Sequence, residues 1–173
     1  MSRITDDELD QLFKTFEHTA FRLEVRDRYD APYSAESVKR FLAGNPEDPD
    51  NRTWFKSWTD MIREITDEGK LVERVRVVSV PLSDYSRYSL WSAQTNNAAG
   101  EDIRFLARDH AEGLPNYDYW LFDSRQLVWM HFDDEDRFVG AEIIDDPAEV
   151  VRHNYWRDLA WHRAIRREEF AAK

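Results

Sequence analysis

The chain of 173 residues is long enough for one domain with its own hydrophobic core, and 10 Phe, 7 Trp and 7 Tyr against only 5 Gly exclude a disordered or fibrous chain. The absence of cysteine excludes disulfides, thiolate metal sites and thiol nucleophiles, and it fits a reducing cytoplasm, where we expect the protein. The formal net charge of −11 predicts repulsion from phosphate backbones, so we expect no direct contact with nucleic acid.

The N-terminal part of the chain predicts a helix and then a strand. Thr5 and Glu8 have the spacing of a capping box, and apolar residues at helical intervals predict a helix over residues 6–16. Residues 21–29 alternate between apolar and charged side chains, which predicts a strand with one face in the core. The charged positions, expected to form a solvent face or alternatively an interface stripe, are Arg22, Glu24 and Arg26.

The middle of the chain predicts three helices and one strand. Ser34 can cap a short helix, and a longer helix follows with an apolar stripe that includes Trp54 and Trp58. Ser83 can cap the third helix. A run rich in β-branched residues before it, closed by Pro81, is the most strand-like segment of the chain. The predicted helices cover 34–42, 53–68 and 83–98, and the strand covers 71–80.

The C-terminal part predicts four strands and a last helix. Very short turns separate the last three strands, which therefore form an antiparallel meander. Pro147 suits the first turn of the helix. The predicted strands cover 103–107, 119–122, 127–132 and 138–144, and the helix covers 147–167. We therefore expect an α+β fold, a single domain over residues 1–173 with a mixed sheet of about six strands flanked by helices.

Common catalytic and metal-binding motifs are missing from the sequence. The five histidines form no His-x-x-x-His pair, and the acidic run at 133–136 lacks the spacing of a calcium loop, so a solvated turn explains it better. The chain has no Gly-x-Ser-x-Gly elbow and too little glycine for a phosphate-cradling loop. We therefore expect no metal and no cofactor, and we favour a protein that is not an enzyme.

Candidate site residues come from the aromatic and charged positions that remain. Two tyrosines would share one face of the third helix in the middle of the chain, where they could line a pocket, although packing is the simpler explanation. The candidates for ligand binding are Tyr85, Tyr88, Arg104 and Trp120. If the protein is an enzyme, the candidates for catalysis are Asp123, His131 and Glu101. An enzyme would require these side chains to converge on one cleft.

Four segments, at residues 19–29, 98–106, 120–125 and 131–134, together resemble an actinobacterial family of domains of unknown function. Genes of that family often lie near helix-turn-helix regulators, so the resemblance implies a regulatory or accessory role in the cytoplasm. A fainter resemblance, in the fold alone, is to one half of a phospholipase D-type domain. In the catalytic frame of that domain, the positions of the motif's His, Lys and Asp would here hold Asn116, Asp118 and Asp123. The resemblance therefore implies that phosphodiester chemistry is lost.

Two hypotheses for the function follow. The first is a non-enzymatic regulatory or accessory protein that binds a helix-turn-helix regulator or a small-molecule signal. The alternative is a hydrolase or transferase with a degenerate phospholipase D-like site. We expect no membrane partner, because no apolar run approaches the ~18 residues of a span. Trp156 and Trp161 cannot face the same side of one helix, so we expect one of them at a pocket or at an interface such as that of a homodimer.

Overall fold

The computed structural model describes residues 2–48, 51 and 53–172, without the side chains of residues 53 and 54. It has a mixed eight-stranded sheet with helices on both faces, which confirms the predicted α+β class. The strands are β1 Ser2–Ile4, β2 Thr19–Glu24, β3 Leu71–Val78, β4 Asp102–Ala107, β5 Asp118–Phe122, β6 Gln126–Phe132, β7 Phe138–Ile144 and β8 Ile165–Arg166. The helices are α1 Asp6–Thr15, α2 Ala35–Leu42, α3 Thr53–Asp67, α4 Asp84–Ala99, α5 Pro147–Arg163 and α6 Arg167–Ala171.

The sheet has the strand order β1-β7-β6-β5-β2-β3-β4-β8. The strands β2, β3 and β4 are parallel, and every other neighbouring pair is antiparallel, including the predicted meander β5-β6-β7. The helices α2 and α3 connect β2 to β3, and α4 connects β3 to β4, as parallel strands require. Because the chain later returns to place β5 on the other side of β2, the order of the sheet reverses at β2.

The ends of the helices follow from local hydrogen bonds. Thr5 Oγ1 accepts from the Glu8 amide at 3.2 Å and Glu8 Oε2 accepts from the Thr5 amide at 2.8 Å, so the capping box is confirmed. The Ser83 hydroxyl caps α4 by accepting from the Ser86 amide. The expected cap at Ser34 is wrong, because this hydroxyl donates to a carbonyl of the preceding turn and caps no amide. Gly100 ends α4 in the left-handed region, where a Cβ would lie 2.5 Å from a side-chain oxygen of α3.

The short strands β1 and β8 and the short helix α6 were not predicted, and the two strands are why the sheet has eight strands and not about six. The strands β1 and β8 have three and two residues, and α6 has five, too few to show a hydrophobic period. The helix α5 ends at Arg163 and not at 167, because Ala164 is already extended and leads into β8. The side chain of Trp54, which we expected on the apolar stripe of α3, is not among the described side chains. No helix in the described part of the chain is long and apolar enough to cross a membrane.

Both faces of the central strand β2 are buried, which corrects the prediction of a half-buried strand. One face packs under α5, and the other lies under the side of the sheet covered by α1, α3 and α4. Arg22 and Glu24 are 6% and 8% exposed, so they do not form a solvent face. A strand between two other strands in a sheet with helices on both sides has no free face, whatever its alternation suggests. Arg26 lies beyond the strand and pairs with Asp136.

Candidate ligand-binding site

A cavity of about 780 Å³ lies on the face of β2 and β3 opposite α5. Its floor is formed by β2, β3 and β5, and its walls by α1, α3, α4, residues 29–34 and the hairpin between β6 and β7. The cavity therefore lies where the strand order reverses, the position at which open α/β sheets commonly bind ligands. Its volume is that of a pocket for a small molecule.

The cavity exists because of the residues that α4 turns toward the sheet. Tyr85, Ser89, Ser92 and Asn96 follow one another at intervals of three or four residues, so they share one helix face. A helix that packs fully on a sheet would carry large aliphatic residues there. The two serines are too small to fill the space between α4 and the strands, and the polar Asn96 reaches the charged floor.

Four charged side chains that alternate along β2 and β3 form this floor. In the register of the parallel pair, Arg22 is opposite Arg74, and Glu24 is opposite Arg76. Arg74 Nη1 and Arg76 Nε each donate to Glu24 at 2.7 Å, one to each carboxylate oxygen. Burial disfavours the charge of Glu24, but the attraction of Arg74, Arg76 and Arg22 outweighs it and lowers the pKa of this carboxyl to about 2.

Glu101, which lies just after α4, extends this network by binding Arg74. Its Oε1 accepts from Arg74 Nε at 2.7 Å, and its Oε2 accepts from Asn96 Nδ2 at 2.8 Å and from Trp58 Nε1 at 3.0 Å. The residue is 1% exposed, so all of its hydrogen bonds are made to protein groups. Glu101 thus fixes the positions of one guanidinium and one indole ring that line the pocket.

Asp118 closes the network on the side of β5. Its Oδ2 accepts from Arg22 Nη2 at 2.8 Å and from the Tyr29 hydroxyl at 2.7 Å, and its Oδ1 accepts from the Val25 amide at 3.0 Å. Burial and the nearby charge of Glu24 raise the pKa of Asp118 above its ordinary value, and the Arg22 guanidinium and the two other donors only partly oppose that effect.

Aromatic rings surround the guanidinium groups. The Cζ atom of Arg74 lies 5.6 Å from the ring centroids of both Trp58 and Trp120, and that of Arg22 lies 5.5 Å from Trp120. These are cation–π distances, and they order the indole rings beside the cavity. Tyr85 contributes a phenol whose pKa burial raises, so it remains a neutral hydrogen-bonding group.

One hydrogen-bond donor in the floor has no acceptor in the part of the chain that the structure describes, unlike the other charged groups of the floor. The Nε atom of Arg22 is buried and has no hydrogen-bond partner among the described residues, and Glu24 Oε1 is 3.8 Å away, beyond hydrogen-bond range. An unsatisfied buried donor costs about 1–3 kcal/mol, and more when it is charged. Arg22 lines the cavity, so its guanidinium group borders the space that a bound molecule would occupy.

The predicted ligand-binding residues do not all lie together. Tyr85, Tyr88 and Trp120 line the cavity. Arg104 does not, because it shares its sheet face with Val75 of the core under α5 and lies over the Trp161 ring at 3.8 Å. Trp161 is therefore half-buried by this contact on the far side of the sheet.

The three candidates for catalysis are dispersed. Glu101 lies behind the floor, where its oxygens are used by Arg74 and its neighbours. His131 pairs with Glu142 at 3.3 Å and does not line the cavity. Asp123 lies in the turn after β5 and accepts from the backbone amides of residues 17, 18 and 19 at 2.9, 2.7 and 3.0 Å. No cleft among the described residues brings these three side chains together.

Sequence reasoning missed the floor itself, which comprises Arg22, Glu24, Arg74 and Arg76. The sequence did contain a signal for a buried charged floor. Charged residues occupy alternate positions in two strands, and each of these strands is followed by a helical crossover connection. Such strands become central and parallel, with both faces covered, so charges of opposite sign in them must pair inside the fold. Within the described ranges, no group of three or more histidine or carboxylate side chains is arranged to hold a metal ion.

Comparison with known proteins gives a family and several similar solved structures, one of which is described below. Residues 7–172 match the model of a family described as "Domain of unknown function (DUF6879)". No curated protein matches the chain in sequence. A similar solved structure, with a TM-score of 0.48 and 12% identity, is titled "Structure of TrmBL2, an archaeal chromatin protein, shows a novel mode of DNA binding". That match covers 92% of this chain and 49% of the other, so this chain spans about half of that protein's length.

That title names DNA binding for the other protein, against our expectation of no direct contact with nucleic acid, and we withdraw the expectation. It was drawn from the net charge of −11, which is a sum over the whole chain and does not describe any one surface. The clustering of Arg22, Arg74 and Arg76 in a chain this acidic illustrates how little the sum says about a single site.

Proposed function

The chain belongs to the DUF6879 family, whose description names no activity, and we propose its function from the cavity: a non-enzymatic regulatory or accessory protein that binds a small-molecule signal. The observation that supports this proposal is a cavity of about 780 Å³ with aromatic walls and an ordered, buried polar floor. Binding pockets typically combine a largely apolar lining with a few convergent polar groups, and this cavity does so.

The ionisable groups of the cavity favour binding over catalysis. A general base needs a pKa near the working pH, whereas Glu24 has a pKa of about 2 and burial raises that of Tyr85 above its ordinary value. Both groups keep one protonation state near neutral pH, which suits recognition. The alternative of a hydrolase or transferase has less support, because Asp123, His131 and Glu101 do not share a cleft.

Several parts of the proposal rest on sequence alone. We also propose a cytoplasmic location, which the lack of cysteine fits, and an actinobacterial origin and a helix-turn-helix partner, which the sequence resemblance implies. The likeness to a phospholipase D-type half-domain also stays a prediction. Two carboxylates occupy positions of the catalytic motif of that domain. Asp118 accepts from Arg22 and Asp123 accepts from backbone amides, so both make structural contacts.

A thermal-shift screen with fractionated metabolites from the producing cells tests the proposal. The variant Ser92→Trp places a large ring in the cavity, and Gln94→Trp adds the same ring to the exposed side of the same helix as a control. We expect at least one fraction to raise the Tm of the wild type and of Gln94→Trp, and not that of Ser92→Trp, because only a ligand of the cavity loses its site. If no fraction separates the two variants, the proposal is wrong.

A further inference from the structure

Building on the proposed function, we infer that the cavity selects a flat aromatic compound with a carboxylate or carbonyl oxygen and without an ammonium group. The oxygen accepts from Arg22, and the ring lies against the aromatic walls. Three features of the described residues lead to this class of ligand: an unsatisfied donor, carboxylates without free capacity, and the composition of the walls.

The unsatisfied donor belongs to Arg22. Its guanidinium has five N–H donors, and among the described residues its Nη2 donates to Asp118 at 2.8 Å. Its Nε is buried without a hydrogen-bond partner in the described part of the chain. The side chain is 7% exposed and lines the cavity, so a ligand there meets a fixed cationic donor. A carboxylate or carbonyl oxygen is the matching acceptor.

The carboxylate of the floor and the two carboxylates behind it have little left to offer a cationic ligand. Both oxygens of Glu24 accept from arginine, and both oxygens of Glu101 accept from side-chain donors. Asp118 accepts from three groups. An ammonium group at the floor would therefore meet carboxylate oxygens that already accept from other donors, and it would approach the guanidinium groups of Arg22 and its two neighbours, whose charge repels it. The other carboxylates that line the cavity, those of Asp10, Asp30 and Asp136, are not part of the floor.

The walls favour a flat body over a bulky or fully hydroxylated one. Trp120 is 4% exposed and is held from one side by Phe13, with ring centroids 4.8 Å apart, and Tyr85 and Tyr88 face the cavity from α4. Phe132 contributes another ring from β6. Aromatic rings pack best against other flat rings, edge-on or offset.

A matched set of three naphthalene compounds tests this inference on the wild-type protein. They are 2-naphthoate, 2-naphthamide and 2-naphthylmethylamine, which share one ring system and differ in the group offered to Arg22. The indole N–H signals in NMR spectra of [15N]tryptophan-labelled protein report binding beside Trp58 and Trp120. We expect the carboxylate and the amide to bind, and the amine to bind at least about 10-fold more weakly. The inference is overturned if the amine binds as tightly as the carboxylate.

The variant Arg22→Lys tests the role of the donor. Lysine can still pair with Asp118 but has no second donor at the position of Nε. We expect it to weaken 2-naphthoate about 10-fold and to leave the weak binding of the amine unchanged, whereas Arg87→Lys, on the exposed side of α4, should change neither. Equal weakening of all three compounds would show a damaged cavity and would contradict a specific donor.

The outcomes separate this inference from the proposed function. If none of the three compounds binds, but a metabolite fraction stabilises the wild type and not Ser92→Trp, the ligand class is wrong and the pocket function stands. If no metabolite fraction and no naphthalene compound distinguishes Ser92→Trp from Gln94→Trp, both fail. A sugar or an amine identified in an active fraction would likewise overturn the ligand class alone.

Discussion

Removal of the central guanidinium should expose how strongly the floor depends on balanced charge. In Arg74→Met, the side chain keeps much of its apolar length but loses the contacts of 2.7 Å to Glu24 and Glu101. Glu24 retains Arg76 and Arg22, whereas Glu101 retains only neutral donors. The Glu101 side chain is 0% exposed, so its charge would be buried without a cation.

The size of the effect follows from that uncompensated charge. Breaking a buried ion pair by removal of one partner costs about 3–5 kcal/mol of unfolding free energy. For a domain of this length, that corresponds to a fall in Tm of roughly 10 °C. The double variant Arg74→Met/Glu101→Gln removes both charges, and the glutamine oxygen can still accept from Trp58 or Asn96. We expect it to be more stable than the single variant by at least about 1 kcal/mol.

Urea unfolding followed by tryptophan fluorescence measures these free energies. Arg87→Met is the matched control, because Arg87 pairs with Asp84 on the surface with 57% of its side chain exposed. Such a surface pair contributes at most about 1 kcal/mol. If Arg74→Met destabilises no more than this control, or if the double variant is less stable than the single one, the floor is not held by charge balance and the reasoning fails.

Three further predictions concern single groups. The pKa of Glu24 is about 2 in the fold against the ordinary 4.5, so this group stabilises the fold above pH 4.5. About 3 kcal/mol should be lost as the pH falls toward 2, with a smaller loss in Glu24→Gln, as measured by urea unfolding across this range. Burial lowers the pKa of His153, so the unfolded chain takes up this proton first and stability should fall as the pH drops below 6.5; His153→Gln should flatten that slope in thermal melts. Asp123→Ala removes the acceptor of three backbone amides and should cost about 2 kcal/mol by urea unfolding, whereas the exposed Asp134→Ala should cost almost nothing.

Local patterns predicted most of the fold because each long element carries its own signal. The capping box at Thr5, the cap at Ser83 and Pro147 in the first turn of α5 all occur where the sequence indicated. The meander followed from short turns. The strands β1 and β8 could not be predicted, since two or three residues become a strand only when a neighbouring strand is present to pair with them.

The candidate site was only partly predictable, because it depends on which strands become neighbours. Tyr85 and Tyr88 were found from their spacing on one helix, which is a local property. The pairing of Arg22 with Asp118, 96 residues apart, requires β5 to return beside β2, and no local pattern contains that information. Arg104 was grouped with these residues for the same reason, since its neighbours Val75 and Trp161, on the other face of the sheet, come from other elements.

The position of the floor in the sheet also explains why its charges indicate recognition more than stability. Hydrophobic residues of similar volume at Arg22, Glu24 and Arg74 would fill the space under α4, and replacing buried ion pairs in this way is often neutral or stabilising. The chain instead has small serines on α4 above charged residues on β2 and β3, so two elements far apart in sequence together leave the cavity open. A fold selected for packing alone has no need of both features. Their coincidence at the point where the strand order reverses supports the proposed role of the cavity in binding a small molecule.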